Sequence, residues 1–422
     1  MCIFVTAMSL ALFIASRLSL RSTTGKLPSG LVIAVTGIAL SVIVMLISIS
    51  VMMGFKQEIR HKIMGFDAQL TVSAHSGNAD GRPSLVNIEE IRPSLEFLPS
   101  GASASLIIHQ PAILKTPTSF TGAMVKGMDH DYDWKFIKEN LVQGVVPDYS
   151  ADSTLYHIVI STSLARDLSV KIGDKIDAFF LGDNAYRNRR LKIAGLYDTH
   201  FSEYDESYVF GTMPMLAALA NLKENYGTQL EIYGLGSDSE IATCARHLSS
   251  NLMDDLYTGR TTTLYSVTDV HSTAALYFNW LSLLDTNVVV ILSLMSLLTC
   301  LTLVSSLYIL ILRRVNMIGI IKALGAKDSL IRRSFVYLTM RILTMGLLIG
   351  NFVGIGIILL QESTGIIPLN PEAYYLDHVP MTLSLPALLI LNAGIITVSF
   401  LVLIIPSAII TTIPPSRVIK YD

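Results

Sequence analysis

The stretch LVIAVTGIALSVIVMLISISVMM, residues 31–53, carries no charged side chain. A bilayer hydrocarbon core about 30 Å thick takes about 20 apolar helical residues, so this run is long enough to cross one. The helical pattern does not stop there. In GFKQEIRHKIM (54–64), Phe55, Ile59 and Ile63 recur every four residues, and Gly65 follows as a candidate glycine C-cap. Three further uncharged runs, Thr286–Leu312, Ile342–Leu360 and Leu383–Ile410, are also long enough to span. Residues 54–285 intervene between the first and second runs and are not membrane-like. The mean hydropathy of +0.53 and the charged fraction of 15% agree with a membrane chain.

The net charge of −2 says little, but its distribution says more. The first 30 residues carry Arg17, Arg21 and Lys26 and no acid. Arg313, Arg314, Lys322, Lys327, Arg332 and Arg333 oppose only Asp328 between the second and third runs. The connector between the third and fourth runs holds Glu362, Glu372 and Asp377 without a Lys or Arg. Positive segments stay cytoplasmic, so both termini and the middle loop are expected inside and the large intervening module outside. The first run is too long for a signal-peptide core and no small-residue cleavage site follows it, so it is expected to be retained. Cys2, Cys244 and Cys300 fall in three different environments, so no disulfide within the chain is expected.

These boundaries predict a membrane α-helical fold of four transmembrane helices, with a large α+β periplasmic domain inserted between helices 1 and 2. The segments are 1–30 (a cytoplasmic amphipathic helix, with Leu10, Ile14 and Leu18 on one side), 31–64 (helix 1 with a periplasmic extension) and 65–267 (the α+β domain). They continue with 268–312 (extension and helix 2), 313–333 (a cytoplasmic coupling segment), 334–360 (helix 3), 361–382 (a short periplasmic loop), 383–410 (helix 4) and 411–422 (a cytoplasmic tail). Within the α+β domain, strands are predicted at 68–73, 156–161, 191–196 and 208–210, with a turn cluster at 76–83; residues 170–176 read as a turn into a further strand that 177–181 continues. Helices are predicted at 162–168, 213–222 and 240–252, and the whole is expected to form two lobes. Helices projecting beyond the membrane at both ends of this module are stiff rods able to pass a displacement along their length.

Motifs for chemistry are missing. There is no GxxxxGK[ST] phosphate loop, no HExxH, no GxSxG and no CxxC. The nine histidines are scattered. Asp129, Asp131 and Asp133 alternate like part of a calcium loop, but the glycine and closing glutamate are missing. No catalytic residue and no metal site are expected, and nothing points to nucleic acid.

The informative internal element is RRVNMIGIIKALGAKD (313–328). Met317, Ile318, Ile321 and Leu324 are expected on one apolar stripe of a short helix. Gly325 can end it in a left-handed conformation, and Asp328 can cap the next helix. An apolar helix between basic clusters either lies in lipid headgroups or docks in a groove on another protein. IGIIKALGA (318–326) directly after the second span resembles the coupling segment of the MacB/LolC/LolE/FtsX class of ABC permeases. Leu12–Leu18, Val35–Leu40 with Ser50–Phe55, Ile158–Asp177, Ile193–Tyr197 with Glu203-Tyr204-Asp205, and Pro406-Ser407 with Pro414–Asp422 resemble the lipoprotein-releasing LolC/LolE branch. Where the family commonly has an acidic residue, this chain has Arg313.

The resemblance implies two permease subunits, the second being the same or a homologous chain, paired with cytoplasmic ABC ATPase subunits. ATP and Mg would sit on the ATPase, and this chain would carry no cofactor. Arg314, Met317, Ile318, Ile320, Ile321, Lys322, Leu324 and Gly325 are then the expected ATPase-coupling residues. The substrate would be a lipoprotein handed to a periplasmic lipoprotein carrier. Val51, Met52, Met53 and Phe55, flexible and apolar at the outer end of helix 1, are candidates for lining its cavity, or face lipid or a neighbouring helix. Gly346, Gly350 and Gly354 provide a close-packing face on helix 3, either within the chain or towards another subunit. A permease of the MacB or FtsX type driving a different client is the alternative. The cytoplasmic segments are too short for a receptor's signalling domain.

Overall fold

The computed structural model describes residues 29–75, 85–129, 132–149, 151–181 and 186–407. The amphipathic helix predicted within 1–30 (except residues 29–30), the turn cluster at 76–83, Asp131 and the tail 411–422 lie outside them. Among the described residues, four helices are long and apolar enough to cross a membrane: Ser29–Phe66, Ala275–Arg313, Asp328–Thr364 and Leu385–Ser407. They are called the first to fourth long helices below. The chain divides into two compact units. One holds residues 1–56, 281–368 and 378–422, and the other holds 57–280 with 369–377.

In the membrane unit the apolar core is built from Ile38, Val42 and Met45 of the first long helix, Leu303, Leu307 and Ile311 of the second, and Ile342, Leu343 and Leu347 of the third. Ile395 and Leu403 of the fourth complete it. A reciprocal amide pair joins the third and fourth helices: Asn351 Nδ2 donates to Asn392 Oδ1 at 2.7 Å and Asn392 Nδ2 to Asn351 Oδ1 at 3.2 Å. Each half-buried amide satisfies the other, which is how polar groups hold helices together in lipid. Lys56 of the first helix pairs with Asp285 of the second at 2.5 Å, where both uncharged runs end.

The second unit is α+β with two hydrophobic cores, as the two-lobe expectation requires. Its strands are β1 (Leu70–Ala74), β2 (Val86–Asn87), β3 (Ser103–Lys115), β4 (Phe120–Met128), β5 (Leu141–Gly144), β6 (His157–Ser161), β7 (Lys175–Leu181), β8 (Tyr186–Tyr197), β9 (Tyr208–Thr212), β10 (Tyr226–Gly227), β11 (Gln229–Tyr233) and β12 (Tyr265–Asp269). Pairings β3–β4, β4–β9, β9–β6, β6–β8, β8–β7 and β7–β3 close a six-stranded ring. Its apolar core includes Ile108, Leu114, Val125, Ile158, Ile160, Phe180, Leu191, Ile193 and Val209. The other lobe is the sheet β12–β1–β11–β3, covered by the helix Asp238–Tyr257 through Ile241, Cys244, Leu248 and Leu252. β3 serves both lobes. It pairs with β11 over 103–107 and with β7 over 112–115. Pro111, which has no N–H to give, falls in the gap between them.

Several boundaries differ from expectation. Gly65 does not cap the first long helix, which continues to Phe66. A Cβ on Gly65 would run into the Phe136 ring, so this glycine admits an aromatic neighbour. The expected helical extension over 268–285 is present from Val270 on, as a short helix Val270–Thr273 and then the start of the second long helix at Ala275; only residues 268–269 differ, as the end of β12. The third long helix starts at Asp328, so residues 328–333 of the expected coupling segment belong to it. Asp328 is its first residue and does not cap it. The capping position falls on Lys327, which makes no side-chain bond there. The fourth long helix begins at Leu385 rather than 383, and the last three residues of its expected span, 408–410, lie outside the described residues.

Candidate functional site

In the expected coupling segment a short helix, Val315–Ala323, follows the second long helix after a break at Arg314. Its end is a Schellman turn. Gly325, at φ +89°, donates its N–H to Lys322 O at 2.9 Å, and Ala326 donates to Ile321 O at 3.2 Å. A left-handed residue is required at this point, and glycine adopts that conformation without strain. Lys322 Nζ pairs with Asp328 at 2.9 Å, which ties the short helix to the start of the third long helix.

The expected single stripe is split between two faces. Ile318 is fully buried against the membrane-unit core, with Met317 and Ile321 half-buried beside it. The outward face is Ile320, 54% exposed, and Leu324, 83% exposed, with Asn316 and Ala323 alongside. Arg314 and Gly325 are exposed at the two ends. Ile318 therefore anchors the helix, and Ile320 and Leu324 are the apolar side chains it presents.

The three glycines of the third long helix pack within the chain. A Cβ would stand 2.6 Å from Ile38 Cγ2 at Gly346, 2.8 Å from Val42 Cβ at Gly350 and 2.9 Å from Leu46 Cδ2 at Gly354. Ile38, Val42 and Leu46 follow one another at four-residue spacing on the first long helix, so residues of one helix fill gaps in the other. Val51, Met52, Met53 and Phe55 are each half-buried, and Val51 packs against the cluster of Leu46, Ile358 and Met381.

In the second unit, the first long helix ends in a buried polar joint that the sequence reading missed. Lys126 Nζ of β4 donates to Phe66 O at 2.8 Å and pairs with Glu231 of β11 at 2.8 Å, with both side chains almost fully buried. A cation at a helix C-terminus satisfies a free carbonyl and suits the helix dipole. Gln229 Nε2 donates to Glu231 Oε1 at 2.8 Å, and the Tyr233 hydroxyl donates to Glu231 Oε2. Burial opposes charge on Glu231, but the Lys126 ammonium outweighs it and holds the carboxyl below its usual value. Burial likewise opposes charge on Lys126, and Glu231 raises it above its usual value. Around the joint the Phe66 ring stacks on Tyr204 and Phe210 and meets Phe136 edge-on. A lysine and a glutamate, each flanked by apolar residues in a strand, were the available signal.

A family model described as the MacB-like periplasmic core domain matches residues 31–242, half of the chain. Another, described as the FtsX-like permease C-terminal, matches residues 289–415. The lipoprotein-releasing system transmembrane protein LolC of Xylella fastidiosa (strain Temecula1 / ATCC 700964) is 24% identical over 406 residues, covering 92% of this chain and 93% of that protein. The corresponding LolE of Haemophilus influenzae is 21% identical over 398 residues, covering 91% and 92%. A solved structure of the periplasmic region of MacB from Actinobacillus actinomycetemcomitans is 12% identical and covers 52% of this chain and 95% of that one, with a TM-score of 0.35. The two family matches and the end-to-end relatives lead to one assignment: the chain belongs to the MacB/FtsX-like permeases and is of the LolC/LolE type.

Proposed function

We propose that this chain is the permease subunit of an ABC transporter that releases lipoproteins from the inner membrane to a periplasmic carrier. The observation that carries the reading is the match, over nearly the whole chain, to relatives named as lipoprotein-releasing transmembrane proteins. In this reading both termini and the coupling helix are cytoplasmic and the α+β unit is periplasmic. ATP and Mg belong to a separate ATPase, whose groove receives Ile320 and Leu324. Closure of the ATPases moves the coupling helices, and the long helices carry that motion outward.

The task needs an energy source and an apolar receiver, because each methylene withdrawn from lipid costs about 0.8 kcal/mol. The test is depletion of the chain in its native cell. Outer-membrane lipoproteins are expected to accumulate in the inner membrane. Normal lipoprotein sorting after depletion overturns the reading and favours a permease acting on another client.

A further inference from the structure

The connector between the third and fourth long helices contributes residues 369–377 to the second unit. There it meets the loop 198–205 and the extension of the first long helix. Lys62 Nζ donates to Thr199 O at 2.5 Å and to Tyr375 O at 2.6 Å, so one ammonium joins three separate segments. His200 lies between Asp198, at 3.3 Å, and Asp377, at 3.1 Å. The Phe201 ring, fully buried, meets Tyr375 edge-on at 4.7 Å and Tyr277 at 5.0 Å. Tyr277 in turn donates to Glu203.

Two residues facing this junction, His200 at φ +58° and Tyr375 at φ +61°, hold a left-handed backbone that side chains disfavour. Such conformations persist where surrounding contacts over-determine them. The loop is itself braced from below. Asp205 accepts from Thr199 N at 3.1 Å and Thr199 Oγ1 at 2.7 Å, and Asp198 accepts from Thr162 Oγ1 at 2.7 Å.

We propose that Lys62 is a positioning residue, clasping 369–377 and the 198–205 loop to the first long helix so that the connector acts as a third load-bearing strut. This rests on the transport reading above. The chain passes covalently from the third long helix into 369–377 and back into the fourth. With the clasp closed, movement of those two helices reaches the same socket as movement of the first. Without it, the connector loses its tie to the first long helix and is held to the unit by the His200–Asp377 and Phe201–Tyr375 contacts, a weaker path for that movement.

The test uses the full complex with its ATPase in lipid nanodiscs, comparing wild type, Lys62→Met and Lys62→Arg. Methionine keeps the length and removes the donors, while arginine keeps donors and charge. In Lys62→Met, lipoprotein released per ATP hydrolysed is expected to fall about tenfold, as loss of a charge-assisted double hydrogen bond implies. ATP turnover should stay within about twofold of wild type, and Lys62→Arg should restore coupling. Hydrogen exchange supplies a readout free of lipoprotein: amides of 198–205 and 369–377 should lose protection together in Lys62→Met. Unchanged exchange overturns the clasp. Raised exchange with unchanged release per ATP overturns the strut. A wild-type complex that releases no lipoprotein but shows the exchange pattern defeats the transport reading and leaves the clasp standing.

Discussion

Lys126 keeps a charge inside the protein because Glu231 and Phe66 O meet it at hydrogen-bond distance. Removing one member leaves the other charge buried and uncompensated. Lys126→Met is therefore expected to destabilise the chain by about 3–5 kcal/mol, and Lys126→Met with Glu231→Met should recover much of the loss. Thermal unfolding in detergent, followed by tryptophan fluorescence, measures both. A single variant as stable as wild type would refute the joint. His109, beside Glu231, is a second case. Burial and then the Lys126 ammonium push its pKa from 6.5 down to about 4. Its neutral form is the folded one, so its contribution is complete above pH 6.5. About 3 kcal/mol is lost as pH falls towards 4. Asp205 works the other way, because burial raises it from 3.8 to about 6. Its contribution is complete below pH 3.8 and is lost as pH rises through 6. His109→Gln should thus flatten the acid loss between about pH 6.5 and 4.5, seen as a smaller drop in Tm than in wild type. These side chains were visible in the sequence, but their partners sit on strands far away in the chain, and periodicity carries no pairing information.

At the level of elements, the short helix Val315–Ala323 shows where the amino-acid pattern succeeds and where it does not. Its position, its glycine end and its basic flanks followed from local rules. Its outward face did not, because Ile318, Ile320, Ile321 and Leu324 are all apolar and burial alone tells them apart. A charge at Leu324 is expected to abolish ATPase stimulation while leaving thermal stability unchanged. A charge at Ile321 is expected instead to lower stability, since that side chain packs against the membrane-unit core. Equal stability of the two variants would contradict this division. β3 escaped the sequence reading for a related reason: Leu106, Ile107 and Ile108 break the alternation, and Pro111 argues against a central strand. Gly350→Val should cost about 1–3 kcal/mol by overpacking against Val42. Gly356→Val, at a position where a Cβ meets nothing within 4 Å, is the matched control and should not be destabilising.

For the whole molecule, uncharged runs and charge asymmetry were enough to separate membrane helices from the intervening module, because lipid imposes length and polarity on every span. Closure of the six-stranded ring was not legible, since it depends on β7 reaching β3 from far along the chain. Orientation can be read by thiol labelling of intact cells with a membrane-impermeant reagent, after replacing Cys2, Cys244 and Cys300. Tyr257→Cys, at an 82% exposed position, should label from outside and Leu324→Cys should not. Labelling of Leu324→Cys alone would invert the topology. The meshing of Gly346, Gly350 and Gly354 with Ile38, Val42 and Leu46 restricts how such a machine can move. It works like a toothed rack with a four-residue pitch, about 6 Å along a helix. Small slips would drive side-chain carbons into backbone, so these two rods either travel as one piece or jump a whole notch.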